Sequence, residues 1–127
     1  MGIEVSFGRD PGRVLSEAGA FLASDPVRHN LILTLLHARV AYPEPGRYWW
    51  AREGGAVTGV AFQSPLLFFA SLTPTSPEAV VGLVEEIVAE GLDLPGVNGE
   101  TATVARFAGQ WTERRGSAAF PVEGQRI

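Results

Sequence analysis

At Tyr42–Gly46, "YPEPG", the hydrophobic period of this chain changes, and that change limits the folds open to it. Upstream, apolar residues recur at helical spacing, whereas downstream, in "RYWWARE" and "AVTGVAFQ", they follow the pattern of strands. Two prolines and a glycine at the switch interrupt the helix and close a turn. A chain carrying both periods must layer helices on a sheet, so a helix bundle or a sandwich does not fit.

Upstream of the switch, "IEVSF" reads as a short edge strand, and "DPGRVLSEAGAFLAS" puts Val14, Leu15, Ala18, Phe21 and Leu22 at helical spacing. "SDPVRHNLILTLLHARV" gives the stronger helical signal. Asp25 is placed to cap its orphan donors, with Pro26 in the first turn. Leu31, Ile32, Leu33, Leu35 and Leu36 make this helix apolar around most of its circumference, which predicts cover on more than one side.

Downstream, the two strands join through a tight connection at Gly54 and Gly55. Pro65 is expected to stop the second strand or mark a bulge. "LLFFASL" reads as a third strand, apolar on both faces and so in need of cover on both. Ser76, Pro77 and Glu78 announce another helix, with Val80, Val84 and Ile87 on one face, Glu78, Glu85 and Glu86 toward solvent, and Gly91 at its end. After the loop "LDLPGVNGET", the segment "TATVARFAGQWTERRG" aligns Val104, Phe107, Ala108 and Trp111 on one stripe and stops at Gly116. "SAAFPVEGQRI" reads as a final strand. The expected architecture is a single α/β (α+β) layered domain over residues 1–127, since a chain of 127 residues supports one core.

Composition narrows the function classes. No apolar run approaches the ~20 residues of a membrane span, and the N-terminus lacks the basic start and apolar core of a signal peptide. The absence of cysteine excludes disulfides and thiolate chemistry and fits a cytoplasmic protein. A net charge of -4 argues against a general nucleic-acid surface. All ten basic residues are arginines, scattered except for Arg114 and Arg115, which sit where they offset a helix C-terminus.

Catalytic and metal motifs are poorly represented. His29 and His37 lie eight positions apart with no acidic partner to complete a zinc-like set, so both read as ordinary helix residues. Ser64, before Pro65, reads as a turn residue and lacks the glycine frame of a nucleophile elbow. Glu85 and Glu86 diverge by about a hundred degrees on a helix and read as solvated surface. Neither G-x-x-x-x-G-K-[ST] nor G-x-G-x-x-G occurs. "PGVNG" could offer main-chain amides to an anion, but Glu100 opposes one there, so Gly96 and Gly99 read as backbone devices. Asn98 then caps the next helix or bonds its own backbone. Trp49 and Trp50 point to opposite faces of their strand. Gln63 is either exposed at a strand end or satisfied in a cleft.

Taken in order, "FLASDPVRHNLILTLL", "GRYWWARE-GG-AVTGVAFQSP", "LPGVNGE" and "FAGQW" resemble the N-terminal half of a GNAT-family N-acetyltransferase group common in actinobacteria, over roughly Val14 to Ile127. The resemblance implies a mixed, mostly antiparallel sheet flanked by helices, incomplete as a GNAT unit. It implies an acetyl-CoA-dependent parent protein in which a second portion carries the pyrophosphate element [Q/R]-x-x-G-x-[G/A]. That element has no match here: "RFAGQW" ends in Trp111 where the element needs a glycine or alanine, and "VTGVAFQ" lies on a strand.

The resemblance therefore implies a noncatalytic piece or standalone relative, with no cofactor-binding residues and no metal of its own. Its expected partner is a C-terminal GNAT catalytic domain or a second copy, as a homodimer, with no nucleic acid and no membrane. Asn30, Gln63 and Asn98, which fall within the resembling motifs, are the expected substrate or interdomain positions, and no general base is assigned. The alternative is a standalone noncatalytic binding or dimerisation domain.

Overall fold

A computed structural model describes residues 2–115. In chain order its elements are β1 (Ile3–Gly8), α1 (Pro11–Ser24), α2 (Pro26–Ala41), β2 (Arg47–Glu53), β3 (Ala56–Gln63), β4 (Ala70–Leu72), α3 (Pro77–Ala89), β5 (Val97–Asn98) and α4 (Thr101–Arg115). The five strands form one mixed sheet in sequential order, antiparallel from β1 to β4, with β5 parallel to β4. The class is α+β, with helices on both faces of the sheet.

Three helices begin with the same local device. Asp10, Asp25 and Ser76 accept from the amides of Gly12 (2.9 Å), Arg28 (3.3 Å) and Ala79 (3.2 Å), each just before a proline at the first helical position. Proline there has no N–H to leave unpaired and its fixed φ suits the helix. The β2–β3 turn falls on Gly54 and Gly55 at φ of 59° and 86°, values that side chains disfavour. β3 ends at Gln63, as Pro65 predicts, while the sheet's bulge lies elsewhere, at Ala51/Arg52.

Strand alternation divides the core in two. Trp49 faces α3 and α4 with Ala51, Ala61, Val84, Ile87, Val104, Phe107 and Trp111. Trp50 faces α1 with Tyr48, Val60, Phe62, Val14, Ala18 and Leu22. Both tryptophans are completely buried, each hiding about 150–250 Å² of mostly apolar surface, which makes them the main anchors of the two layers.

Two expectations are corrected here. "LLFFASL" is a strand only over Ala70–Leu72; Leu66–Phe69 form a turn after Pro65, where the Phe68 amide bonds to the Pro65 carbonyl at 3.0 Å. Leu67 and Phe68 are 89% and 64% exposed, so no second apolar face of a strand is being covered. Helix α2 packs chiefly on α1 and buries only His29, Ile32 and Leu36, leaving Val27 87% and Leu31 57% exposed. Its apolar circumference is covered on one side only among the described residues. The expected end of α4 at Gly116 and the final strand in "SAAFPVEGQRI" lie outside the described residues.

Candidate functional site

Because α2 leans on α1, it does not cover the end of the sheet formed by β4 and β5, and a wedge opens between them. The wedge comprises two adjoining hollows of about 500 and about 300 Å³ that share Leu31, Ser71, Asn98 and Gly99. Cavities of this size hold small ligands or a side chain or two of a partner.

The floor of the wedge is set by strand pairing. Phe62 pairs with Ser71 across the β3–β4 ladder, and Ser71 pairs with Asn98 across β4–β5, which puts the three side chains in one row under α2. Val97, one residue away, points through the sheet into the α3–α4 core. Gly99 then turns the chain at φ 151°, with the Leu72 carbonyl oxygen 2.7 Å from where a Cβ would stand. Leu31, Leu35, Phe68 and Phe69 form the apolar walls. Neither the Ser71 nor the Asn98 side chain is hydrogen-bonded to a described residue.

Each end of the wedge carries an arginine that is already engaged. Arg28 reaches Glu100 Oε2 at 2.8 Å and Asp25 Oδ2 at 3.9 Å. Arg39 Nε donates to Ser64 Oγ at 2.7 Å, its Nη2 to the Ser64 carbonyl at 3.3 Å, and its Nη1 lies 3.6 Å from Glu44. Ser64 Oγ in turn donates to the Pro45 carbonyl at 2.8 Å, so it is held between two partners. The wedge can therefore grip an apolar, uncharged group with one or two hydrogen bonds, and among the described residues it brings together no acid–base pair or activated nucleophile.

The titratable groups that are perturbed lie outside the wedge. Burial pushes the Tyr48 phenol up against a smaller opposing effect of the nearby Ser64 hydroxyl, and among the described residues no partner meets hydrogen-bond geometry with its own hydroxyl. Burial, with help from Glu86, pushes the Glu90 carboxyl up although the Trp49 indole N–H donates to it at 3.0 Å. Hydrogen bonds from Arg13 and Arg52 pull Glu17 down.

The three expected site positions do not converge. Asn30 is exposed on α2 and lines neither hollow. Gln63 is completely buried at the end of β3 and points to the face opposite Phe62. Its Nε2 donates to the Phe68 carbonyl at 3.0 Å, while its Oε1 accepts from Arg47 Nη1 at 3.4 Å, so it fastens the β3–β4 loop. Asn98 alone reaches the wedge. It lies in β5 and does not cap α4; Glu100 takes that position, accepting the Val104 amide on its carbonyl at 2.9 Å and the Thr103 hydroxyl on its carboxylate at 3.4 Å. His29 is buried, with Nδ1 3.2 Å from the Leu22 carbonyl, and no cluster of metal-ligating side chains occurs among the described residues. Sequence reasoning missed Ser71, Arg28 and Arg39. The one usable signal was a single serine inside the apolar run "LLFFASL".

Every helix start among the described residues carries acid. Asp10 and Asp25 cap α1 and α2, Glu78 sits in the first turn of α3 with Glu53 bonded to its cap Ser76 at 3.0 Å, and Glu100 precedes α4. The link from β4 to α3 is also depleted of free amides. Pro74 and Pro77 have none, the Thr73 amide bonds the Val60 carbonyl, Thr75 donates to Thr103 Oγ1, and Ala79 to Ser76 Oγ. An anion at any of these turns meets a carboxylate where helix-bound phosphates need bare N–H groups.

Among the described residues, no helix is long and apolar enough to cross a membrane. Comparison with protein-family models, curated proteins and solved structures finds no match.

Proposed function

We propose that this chain is the N-terminal, noncatalytic module of an acetyl-CoA-dependent N-acetyltransferase of the GNAT type, contributing a packing surface while a partner domain supplies the cofactor site. The observation that supports the noncatalytic part is the acid at the starts of the four described helices, which opposes an anion such as the diphosphate of coenzyme A at those turns. The mixed sheet, antiparallel except for β4–β5, supports the architecture that the resembling motifs imply. The element [Q/R]-x-x-G-x-[G/A] is then expected in the segment or protein that works with this chain. Acetyl transfer should require both parts together, and an assay that finds transfer by this chain alone contradicts the proposal.

A second reading, a standalone dimerisation domain, is favoured by the exposed Val27, Leu31, Leu67 and Phe68 on one side of the molecule. Apolar surface of this kind marks sites of association.

A further inference from the structure

A buried hydroxyl with no partner among the described residues lies at the centre of the wedge. Ser71 is 8% exposed and lines both hollows, and its side chain bonds to no described residue. Buried polar side chains are nearly always hydrogen-bonded, because an unmet one has given up its hydration for nothing. Asn98, its neighbour across the parallel β4–β5 ladder, also lines both hollows and is likewise unengaged. Paired strands stand about 4.8 Å apart, so the hydroxyl and the carboxamide are both within reach of one small ligand group.

The surroundings select the chemistry of that group. A hydroxyl can donate or accept, and a carboxamide offers both an acceptor and donors. A ligand carboxamide matches the pair: its carbonyl accepts from the Ser71 hydroxyl while its N–H donates to the Asn98 side-chain oxygen. The larger hollow adds the rings of Phe62, Phe68 and Phe69, which another ring can meet edge to face or offset. Charge at the two ends disfavours an ion of either sign. A cation would meet Arg39 in the larger hollow and Arg28 in the smaller. An anion would meet Glu100 in the smaller hollow, and both arginines are already paired, Arg28 with Glu100 and Arg39 with Glu44.

We infer that the wedge is a binding site for a neutral aromatic carboxamide, its ring among Phe62, Phe68 and Phe69 and its amide on Ser71 and Asn98. The inference goes beyond the function proposed above and does not depend on acetyl transfer.

Benzamide, titrated into the nitrogen-15-labelled full chain and followed by its amide resonances, is the probe, with benzoate as the charged analogue of the same shape. Saturable shifts should centre on Leu31, Ser71, Asn98 and Gly99, with a dissociation constant of about a millimolar, the scale for so small a ligand. Benzoate should bind about tenfold more weakly, since its charge is desolvated without a free cation to meet it. Ser71→Ala should weaken benzamide about threefold to tenfold, the scale of one hydrogen bond. Asn98→Leu keeps the side-chain volume and should weaken benzamide while removing its advantage over benzoate. Circular dichroism checks that both variants fold. Four results overturn the inference: no saturation by about 50 mM benzamide, far above that constant; shifts centred away from the wedge; benzoate binding as tightly as benzamide; or either folded variant binding benzamide like the wild type. The first three are read on the wild-type chain, so a variant that fails to fold does not shield the inference from refutation.

Discussion

The indole N–H of Trp49, completely buried under α3, donates to Glu90 Oε1 at 3.0 Å and so ties the centre of the sheet to the last turn of that helix. The carboxylate sits badly there. It faces the negative end of a helix, it is partly desolvated, and Glu86 stands one turn before it. Burial is the largest cause of its raised pKa, with Glu86 adding to it.

The sign of the pH dependence follows. A carboxyl with a raised folded-state pKa holds its proton more tightly when folded, so stability falls as pH climbs from the ordinary value of 4.5 to the raised one. Glu90→Gln keeps an acceptor for Trp49 and removes the charge. It should stabilise the chain at neutral pH by under about 1 kcal/mol, the scale of partly exposed charges, and abolish that part of the slope. Urea unfolding across the acidic to neutral range reads both effects.

Glu17 should act in the opposite sense. Hydrogen bonds from Arg13 and Arg52 lower its pKa, so its contribution is present above the ordinary value of 4.5 and disappears as pH falls through the folded-state value. Glu17→Gln should lose stability at neutral pH and show a weaker decline on acidification. The same unfolding series run on both variants separates the two slopes.

Gly59 and Thr75 form a close contact that keeps the β4–α3 link against the sheet. A Cβ on Gly59 would stand 2.7 Å from both branches of the Thr75 side chain, whose hydroxyl donates to the Thr73 carbonyl at 2.7 Å. Gly59→Ala should cost about 1–3 kcal/mol, the range for overpacking. Thr75→Ala should also destabilise, yet G59A/T75A should be less than the sum, because removing one group admits the other. A double-mutant cycle by denaturant unfolding measures the coupling.

Tyr48 supplies an alkaline test. Its phenol is pushed above its ordinary value of 10.0, first by burial, so stability should decline as pH rises past that value. Among the described residues no partner meets hydrogen-bond geometry with the buried hydroxyl, so Tyr48→Phe should be neutral or slightly stabilising and should remove this decline. Absorbance titration of the phenolate together with thermal unfolding in alkaline buffer checks both.

Local chemistry made much of the fold legible. The helix starts at Asp25–Pro26 and Ser76–Pro77, the Gly54–Gly55 turn and the opposite facing of Trp49 and Trp50 all follow from residue type and period, and the structure has each of them. "LLFFASL" was misleading because a short apolar run does not distinguish a strand from an apolar turn, and here only Ala70–Leu72 pairs. Asn98 and Ser71 are neighbours through the parallel register of β4 and β5, and nothing in either local sequence encodes that pairing. The same holds for Arg28, whose partner Glu100 is 72 positions away. The wedge is therefore a tertiary product, invisible to periodicity, and only its apolar character was readable.

Isothermal calorimetry with acetyl-CoA on this chain alone tests the central claim most directly. If acid at the start of each described helix denies the diphosphate a seat, titration to millimolar cofactor gives no saturable heat. Saturable binding in the micromolar range, weakened by Asn98→Ala or Ser71→Ala at the floor of the wedge, would contradict it.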